Sequence, residues 1–187
     1  MSTVEPADRE SPSTRRALVW FGVTAALVLA ADMVTKVVAV ATLEDQQAVR
    51  LLGGSVYLVL TRNTGAAFGL GQGYTIGLTV IAIVVIGAVI WFARKVASHP
   101  WGVALGLILG GAAGNLVDRL VQPPGPFRGA VIDFISVFDD SGDVWPVFNL
   151  ADSALVIGVL LVLWLERTGR RADGSRVRHS KRDDSER

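Results

Sequence analysis

The stretch Tyr74–Ala93, YTIGLTVIAIVVIGAVIWFA, contains no charged residue and meets the roughly 20 residues that a helix needs to cross the hydrocarbon of a bilayer. Three further apolar stretches approach that length: about Ala17 to Ala41, Trp101 to about Val117, and about Val147 to Leu165. Hydrophobic residues make up 51% of the chain and mean hydropathy is +0.45, with charge crowded into the ends and short intervals. The expected fold is an all-α membrane protein of four transmembrane helices. A small extracytoplasmic β-sheet is expected over about residues 42–73, because Ser55–Thr61 is rich in strand-forming residues and ends in the turn-like Arg62-Asn63-Thr64-Gly65. Residues 17–166 form the membrane domain on this reading. Residues 1–16 and the basic segment 167–187 are polar and poor in large apolar side chains, and are expected to be disordered tails.

Lys and Arg set the orientation. Arg15 and Arg16 precede the first span, Arg94 and Lys95 follow the second, and Arg167, Arg170 and Arg171 follow the fourth. These regions, and both termini, are expected in the cytoplasm. Trp20, Trp91, Trp101 and Trp164 fall at the same ends, as an interfacial aromatic belt would place them. A cleaved signal peptide is not expected, since Asp32 and Lys36 interrupt the approach to the small residues Ala39-Val40-Ala41. The polar motifs of the chain then collect on the outer side.

The chain has no cysteine, which excludes a catalytic thiol, a disulfide scaffold and a thiolate metal site. Its two histidines, His99 and His179, lie in charged segments far from the polar motifs, so neither a Ser-His-Asp triad nor a histidine-rich metal site is expected. The net charge of +1 gives no indication of a nucleic-acid partner. No cofactor is expected.

What remains is carboxylates at the edge of hydrocarbon. Asp133 is wedged between Ile132 and Phe134, and Asp152 opens the fourth apolar stretch. A buried carboxylate needs a partner, and sharing a proton with a second carboxylate supplies one. Two acids sharing a proton are also equipped to activate water. Asn149 and Asp152 have a bland explanation as helix-capping residues. Asp118 beside Arg119 reads first as an interfacial ion pair closing the helix and only second as part of a site, while Asn115 within an apolar span needs hydrogen-bond partners. Asp32 and Lys36, one turn apart, are expected at the interface, and Asn63 is by default a turn residue. Gly106, Gly110, Gly111 and Gly114 are expected to let a neighbouring helix approach closely.

In order along the chain, Asp32 through Lys36, Arg62-Asn63-Thr64-Gly65-Ala66-Ala67-Phe68, Gly114-Asn115-Leu116-Val117-Asp118-Arg119, Val131-Ile132-Asp133-Phe134 and Phe148-Asn149-Leu150-Ala151-Asp152 resemble the motifs of the bacterial lipoprotein signal peptidases, the signal peptidase II family. The resemblance implies an aspartic endopeptidase of the bacterial inner membrane that acts on diacylglyceryl-modified prolipoproteins, in contact with membrane lipids and open to a globomycin-type inhibitor. It implies Asp133 and Asp152 as the catalytic pair, with Asp32, Lys36, Asn63, Asn115, Asp118, Arg119 and Asn149 around them. The Pro-rich interval Gln122–Phe127 looks longer than that pattern. The competing class is a small proton-coupled transporter in which Asp32, Asp118 and Asp152 form a relay. A relay should cross the membrane, whereas these acids gather toward one face.

Overall fold

The computed structural model describes residues 12–65 and 74–176. Helix α1, Pro12–Leu43, is followed by strand β1, Val49–Leu51, a 3-10 turn and strand β2, Val56–Asn63. Helices α2, Thr75–Ala93, and α3, His99–Val121, come next, then strand β3, Val131–Val137, and helix α4, Leu150–Arg167.

Among the described residues, three helices, α1, α2 and α3, are long and apolar enough to cross a membrane. The 32 residues of α1 span about 48 Å at about 1.5 Å per residue. Half of the apolar window of α3 is buried, against 17% for α1 and 11% for α2, which makes α3 the central helix. It packs on α1 through glycines at four-residue spacing. A Cβ at Gly106 or Gly110 would come within 2.9 Å of Thr24, Ala25 or Val28 atoms, and Gly111 closes in the same way on α4 at Ala151 and Leu155. The close approach expected of these glycines is present. The outward faces carry Val34, Val37, Ile81, Val84, Val156, Ile157 and Leu160, each more than half exposed, as a surface solvated by lipid requires.

The sheet has the order β1-β2-β3, antiparallel throughout. It draws on the interval after α3 as well as on residues 42–73. The strand expected at Ser55–Thr61 is β2, and Asn63, expected in a turn, is its last residue. β2 pairs Leu58 with Ile135 and Thr61 with Asp133, so β2 advances one residue more than β3 between these points, which defines a bulge. The sheet rests on the end of α1, where Ala39 and Leu43 pack with Phe134, Leu58, Leu60 and Ile135. Beyond β3, Phe148 exchanges backbone hydrogen bonds of 2.9 Å with Ile135, which brings the start of α4 beside Asp133.

At the opposite end, Ala17, Ala93, Val96, Trp101, Ala104, Leu105 and Leu165 form a second apolar cluster. Here the two ends of the chain differ from expectation. Helix α1 begins at Pro12, within the segment expected to be disordered, with proline at a helix start where its missing N–H is harmless. Residues 168–176 form an ordered clasp. The Ala172 carbonyl accepts from the backbone N–H of Ala97 at 2.9 Å, and the Arg170 carbonyl accepts from Trp101 Nε1 at 2.8 Å. Residues 1–11 and 177–187, the remainder of the expected tails, lie outside the described residues.

Candidate active site

The polar residues singled out in sequence come together where α1, α3, α4 and the β2–β3 pair meet. Asn149 is the N-cap of α4 and Asp152 its third residue. They form a capping box, in which Asn149 Oδ1 accepts from the Asp152 N–H at 2.9 Å and Asp152 Oδ2 accepts from the Asn149 N–H at 3.2 Å. The capping explanation is therefore correct, and incomplete. Asn149 Nδ2 also donates to Asp133 Oδ1 at 2.7 Å, and Asp152 Oδ1 accepts from Asn115 Nδ2 at 2.7 Å. One residue, Asn149, thus touches both carboxylates. Asp133 Oδ2 accepts from Asn63 Nδ2 at 3.0 Å. Asp133 is 2% exposed; its carboxyl is pushed up to about 7, by burial first and by the nearby charge of Asp152 second.

Asp32 and Lys36 are not at the interface. They are 0% and 5% exposed, because the apolar end of α1 is covered by α3 and the first turn of α4. Lys36 Nζ lies 2.7 Å from Asp32, 2.8 Å from Asp118 and 3.0 Å from Asn115 Oδ1. Asp32 Oδ1 accepts from the Ala151 N–H at 3.0 Å, so a carboxylate of α1 sits at the positive end of α4. Gly114 makes room for it, since a Cβ there would collide with the Asp32 carboxylate. Asp118 pairs with Lys36 and accepts from the Ile132 N–H at 3.2 Å. The ion pair expected between Asp118 and Arg119 is absent; neighbours in a helix point apart, and Arg119 reaches the Gly65 carbonyl at 2.8 Å. Among the described residues, Arg119 Nη1 is buried without a hydrogen-bond partner.

The direction of donation through this cluster is fixed at both ends. Lys36 can only donate, so Asn115 must turn Oδ1 toward it and Nδ2 toward Asp152. The Asp152 N–H occupies Asn149 Oδ1, so Asn149 Nδ2 must face Asp133. Both carboxylates therefore receive donors from behind. In front of them lies a cleft of about 500 Å³ with Asn63, Gly65, Asn115 and Arg119 on its polar side and Trp145, Val147, Leu155, Val156 and Ile157 on its apolar side. Val156 and Ile157 also face outward from α4, so the cleft opens sideways at the exposed face of that helix.

All nine sequence-derived candidates belong to one contiguous cluster: Asp32, Lys36, Asn63, Asn115, Asp118, Arg119, Asp133, Asn149 and Asp152. Of the Arg62–Phe68 motif, Asn63 and Gly65 line the cleft, while Ala66, Ala67 and Phe68 lie outside the described residues. Sequence reading did not anticipate β3 itself or the Phe148 bridge. The alternation of Ile132, Phe134 and Ser136 with Val131, Asp133 and Ile135 was the signal available, but it is uniformly apolar on both faces apart from Asp133 and Ser136.

Apolar helices around a buried carboxylate–amide cluster, with an acid-lined cleft open at one side, are the build of a multi-pass membrane protein with a polar site. The family model for signal peptidase (SPase) II matches residues 24–166. The chain is 47% identical to the lipoprotein signal peptidase of Mycolicibacterium smegmatis over 168 residues, 89% of this chain and 69% of that one. It is also 47% identical to that of Mycobacterium avium over 167 residues, 88% of this chain and 89% of the relative. Its fold resembles a bacterial membrane enzyme solved by the in meso method at 2.3 Å resolution, with a TM-score of 0.66, 30% identity, and coverage of 83% of this chain and 93% of that one. The chain belongs to the signal peptidase II family, and it is a peptidase.

Proposed function

We propose that Asp133 and Asp152 are the catalytic dyad of an aspartic endopeptidase that removes the signal peptide from diacylglyceryl-modified prolipoproteins, cleaving before the lipidated cysteine. The observation that carries this reading is the shared contact of both carboxylates with Asn149 at the floor of the cleft. A water held between the carboxylates attacks the scissile carbonyl. Asp133, whose carboxyl retains its proton up to about pH 7, is the acid that donates to the carbonyl oxygen. Asp152 takes the proton of the water, and the leaving amine receives a proton from the pair as the tetrahedral intermediate collapses. The unpartnered Nη1 of Arg119 and the amide of Asn63 stand at the cleft wall where negative charge develops on that oxygen.

The lateral opening fits a substrate that arrives within the bilayer. A signal peptide helix can enter beside Val156 and Ile157 while its diacylglyceryl chains remain among membrane lipids. We place α4 as a fourth crossing, with both termini and the α2–α3 loop in the cytoplasm and the sheet and cleft toward the outer face of the inner membrane. The clustering of Asp32, Asp118, Asp133 and Asp152 at one level favours hydrolysis over a transmembrane proton relay. A globomycin-type cyclic peptide would occupy the same cleft.

The test is cleavage of a lipid-modified precursor by Asp133→Asn and Asp152→Asn at matched amounts of folded protein. Each should lose activity by orders of magnitude, because an amide fills the carboxylate's space but cannot carry the proton. Turnover retained by either variant would remove that residue from the dyad.

A further inference from the structure

Helix α2 is uncharged and contributes nothing to the carboxylate–amide cluster, yet its first two turns place buried hydroxyls against the chain on both sides of the Asn63–Asp133 contact. Thr75, 8% exposed, donates from Oγ1 to the Thr64 carbonyl at 2.7 Å. Thr79, fully buried, bonds the carbonyls of Thr75 and Phe127, each at 2.9 Å. Thr64 follows β2 and Phe127 precedes β3. A threonine within an apolar helix ordinarily satisfies its hydroxyl on the carbonyl four residues back. Thr79 does so in part. Thr75 stands at the first helical position and spends its hydroxyl on another segment.

The Thr64 carbonyl and the Gly65 N–H belong to one peptide plane. Thr75 holds the carbonyl edge of that plane; the N–H edge donates to Asn63 Oδ1 at 2.9 Å. With its oxygen engaged there, the Asn63 amide must aim Nδ2 elsewhere, and it meets Asp133 Oδ2 at 3.0 Å. Rotating the plane would release Asn63. It would also disturb the next carbonyl, that of Gly65, which receives Arg119 at 2.8 Å.

We propose that Thr75 is a positioning residue of the peptidase: by fixing the Thr64–Gly65 peptide plane, it aims the Asn63 amide at Asp133. The proposal rests on the reading of Asp133 as catalytic. Thr75→Val keeps the shape and removes the donor, whereas Thr75→Ser keeps the donor.

The experiment is a double-mutant cycle with Asn63→Ala, measuring kcat and KM on a lipid-modified precursor at equal amounts of folded, monodisperse protein. Thr75→Val should lower kcat about tenfold, the rate equivalent of one net hydrogen bond, with KM changed by less than about twofold. Thr75→Ser should recover most of the loss. Asn63→Ala keeps residual turnover because Asp133 retains its bond from Asn149, and in that background Thr75→Val should cause no further fall in kcat. Thr79→Val, which removes a hydroxyl from the same helix but not from this plane, should add its effect to that of Asn63→Ala. If Thr75→Val does not fold, Thr75→Ala takes its place in the cycle. Wild-type kcat in the Thr75 variant, or an undiminished loss in the Asn63→Ala background, would overturn the proposal. Asp133→Asn in the same assay separates the two failures: if it is inactive while Thr75→Val is fully active, only the role of Thr75 falls, and if it is active the dyad falls first.

Discussion

Asp133→Asn should inactivate the protein and, at neutral to alkaline pH, make it more stable. Burial, then the charge of Asp152, raises the Asp133 carboxyl from an ordinary 3.8 to about 7. Between those values the native state holds a proton that the unfolded chain has released. Stability therefore falls as pH rises through this window, and the full penalty stands above about pH 7. At about 1.4 kcal/mol for each tenfold change in acidity, the rise from 3.8 to about 7 corresponds to about 4 kcal/mol. Asparagine escapes that penalty but has only one oxygen, and both Asn63 Nδ2 and Asn149 Nδ2 donate to residue 133. One of those donors would face an NH2 group, a loss of about 1–3 kcal/mol that does not vary with pH. Hence the variant should be less stable than wild type near pH 4 and more stable near pH 8, with the crossover at about pH 5–6. Thermal unfolding in detergent at pH 4.5 and pH 8 reads this directly. For a chain of this length about 4 kcal/mol corresponds to a swing in the Tm difference on the order of 10 °C. A Tm difference that stays flat between these pH values would mean that Asp133 titrates in the ordinary carboxylate range, and the proton-holding acid of the mechanism would be lost with it.

Lys36→Met removes the cation between Asp32 and Asp118 and leaves two buried carboxylates unpaired, which should destabilise by about 3–5 kcal/mol; a Tm equal to wild type would exclude charge pairing as its role. The chain contains no cysteine, so single cysteines report topology cleanly. Ser141→Cys should react with a membrane-impermeant reagent from outside and His99→Cys only after the membrane is opened, and an odd number of crossings would undo the orientation. Unlipidated precursor should be cut at least about tenfold more slowly than diacylglyceryl-modified precursor, because a bound remote group contributes to orienting the scissile bond. Equal rates would leave a membrane peptidase without lipid dependence.

Local features of the sequence foretold more of the spans than of the spaces between them. Tyr74–Ala93 could be read directly because length and absence of charge are properties of a single segment. The same-face relation of Asp32 and Lys36 was equally local. Their depth was not, since it depends on Gly114, Asp118 and the Ala151 N–H, the last 119 residues from Asp32. β3 was hidden because a seven-residue run that is apolar or small apart from Asp133 suits a strand or a helix turn, and its pairing partner lies some 70 residues earlier. The clasp at residues 168–176 was misread as tail because its composition is basic and polar. What orders it is main-chain bonding to the Ala97 segment and to Trp101, and composition does not encode that. The capping reading of Asn149 and Asp152 was right about the backbone and silent about the carboxylate on the neighbouring strand.

The extra residue in β2 decides which kind of side chain the strand offers the site. Cross-strand partners point the same way, so Leu58 opposite Ile135 and Thr61 opposite Asp133 share a face although three positions separate them. Asn63 inherits that face from Thr61. Under strict alternation counted from Leu58, the positions on it would be Leu60 and Arg62, and a guanidinium would stand where an amide now meets Asp133. The bulge thus works as a frameshift in the strand's two-residue code: it lets an outward arginine, paired with Glu44 at 2.6 Å, and an inward asparagine occupy consecutive positions, each on its proper side. Regularising the pairing with no residue removed would leave the sequence intact and exchange the amide for a cation beside Asp133.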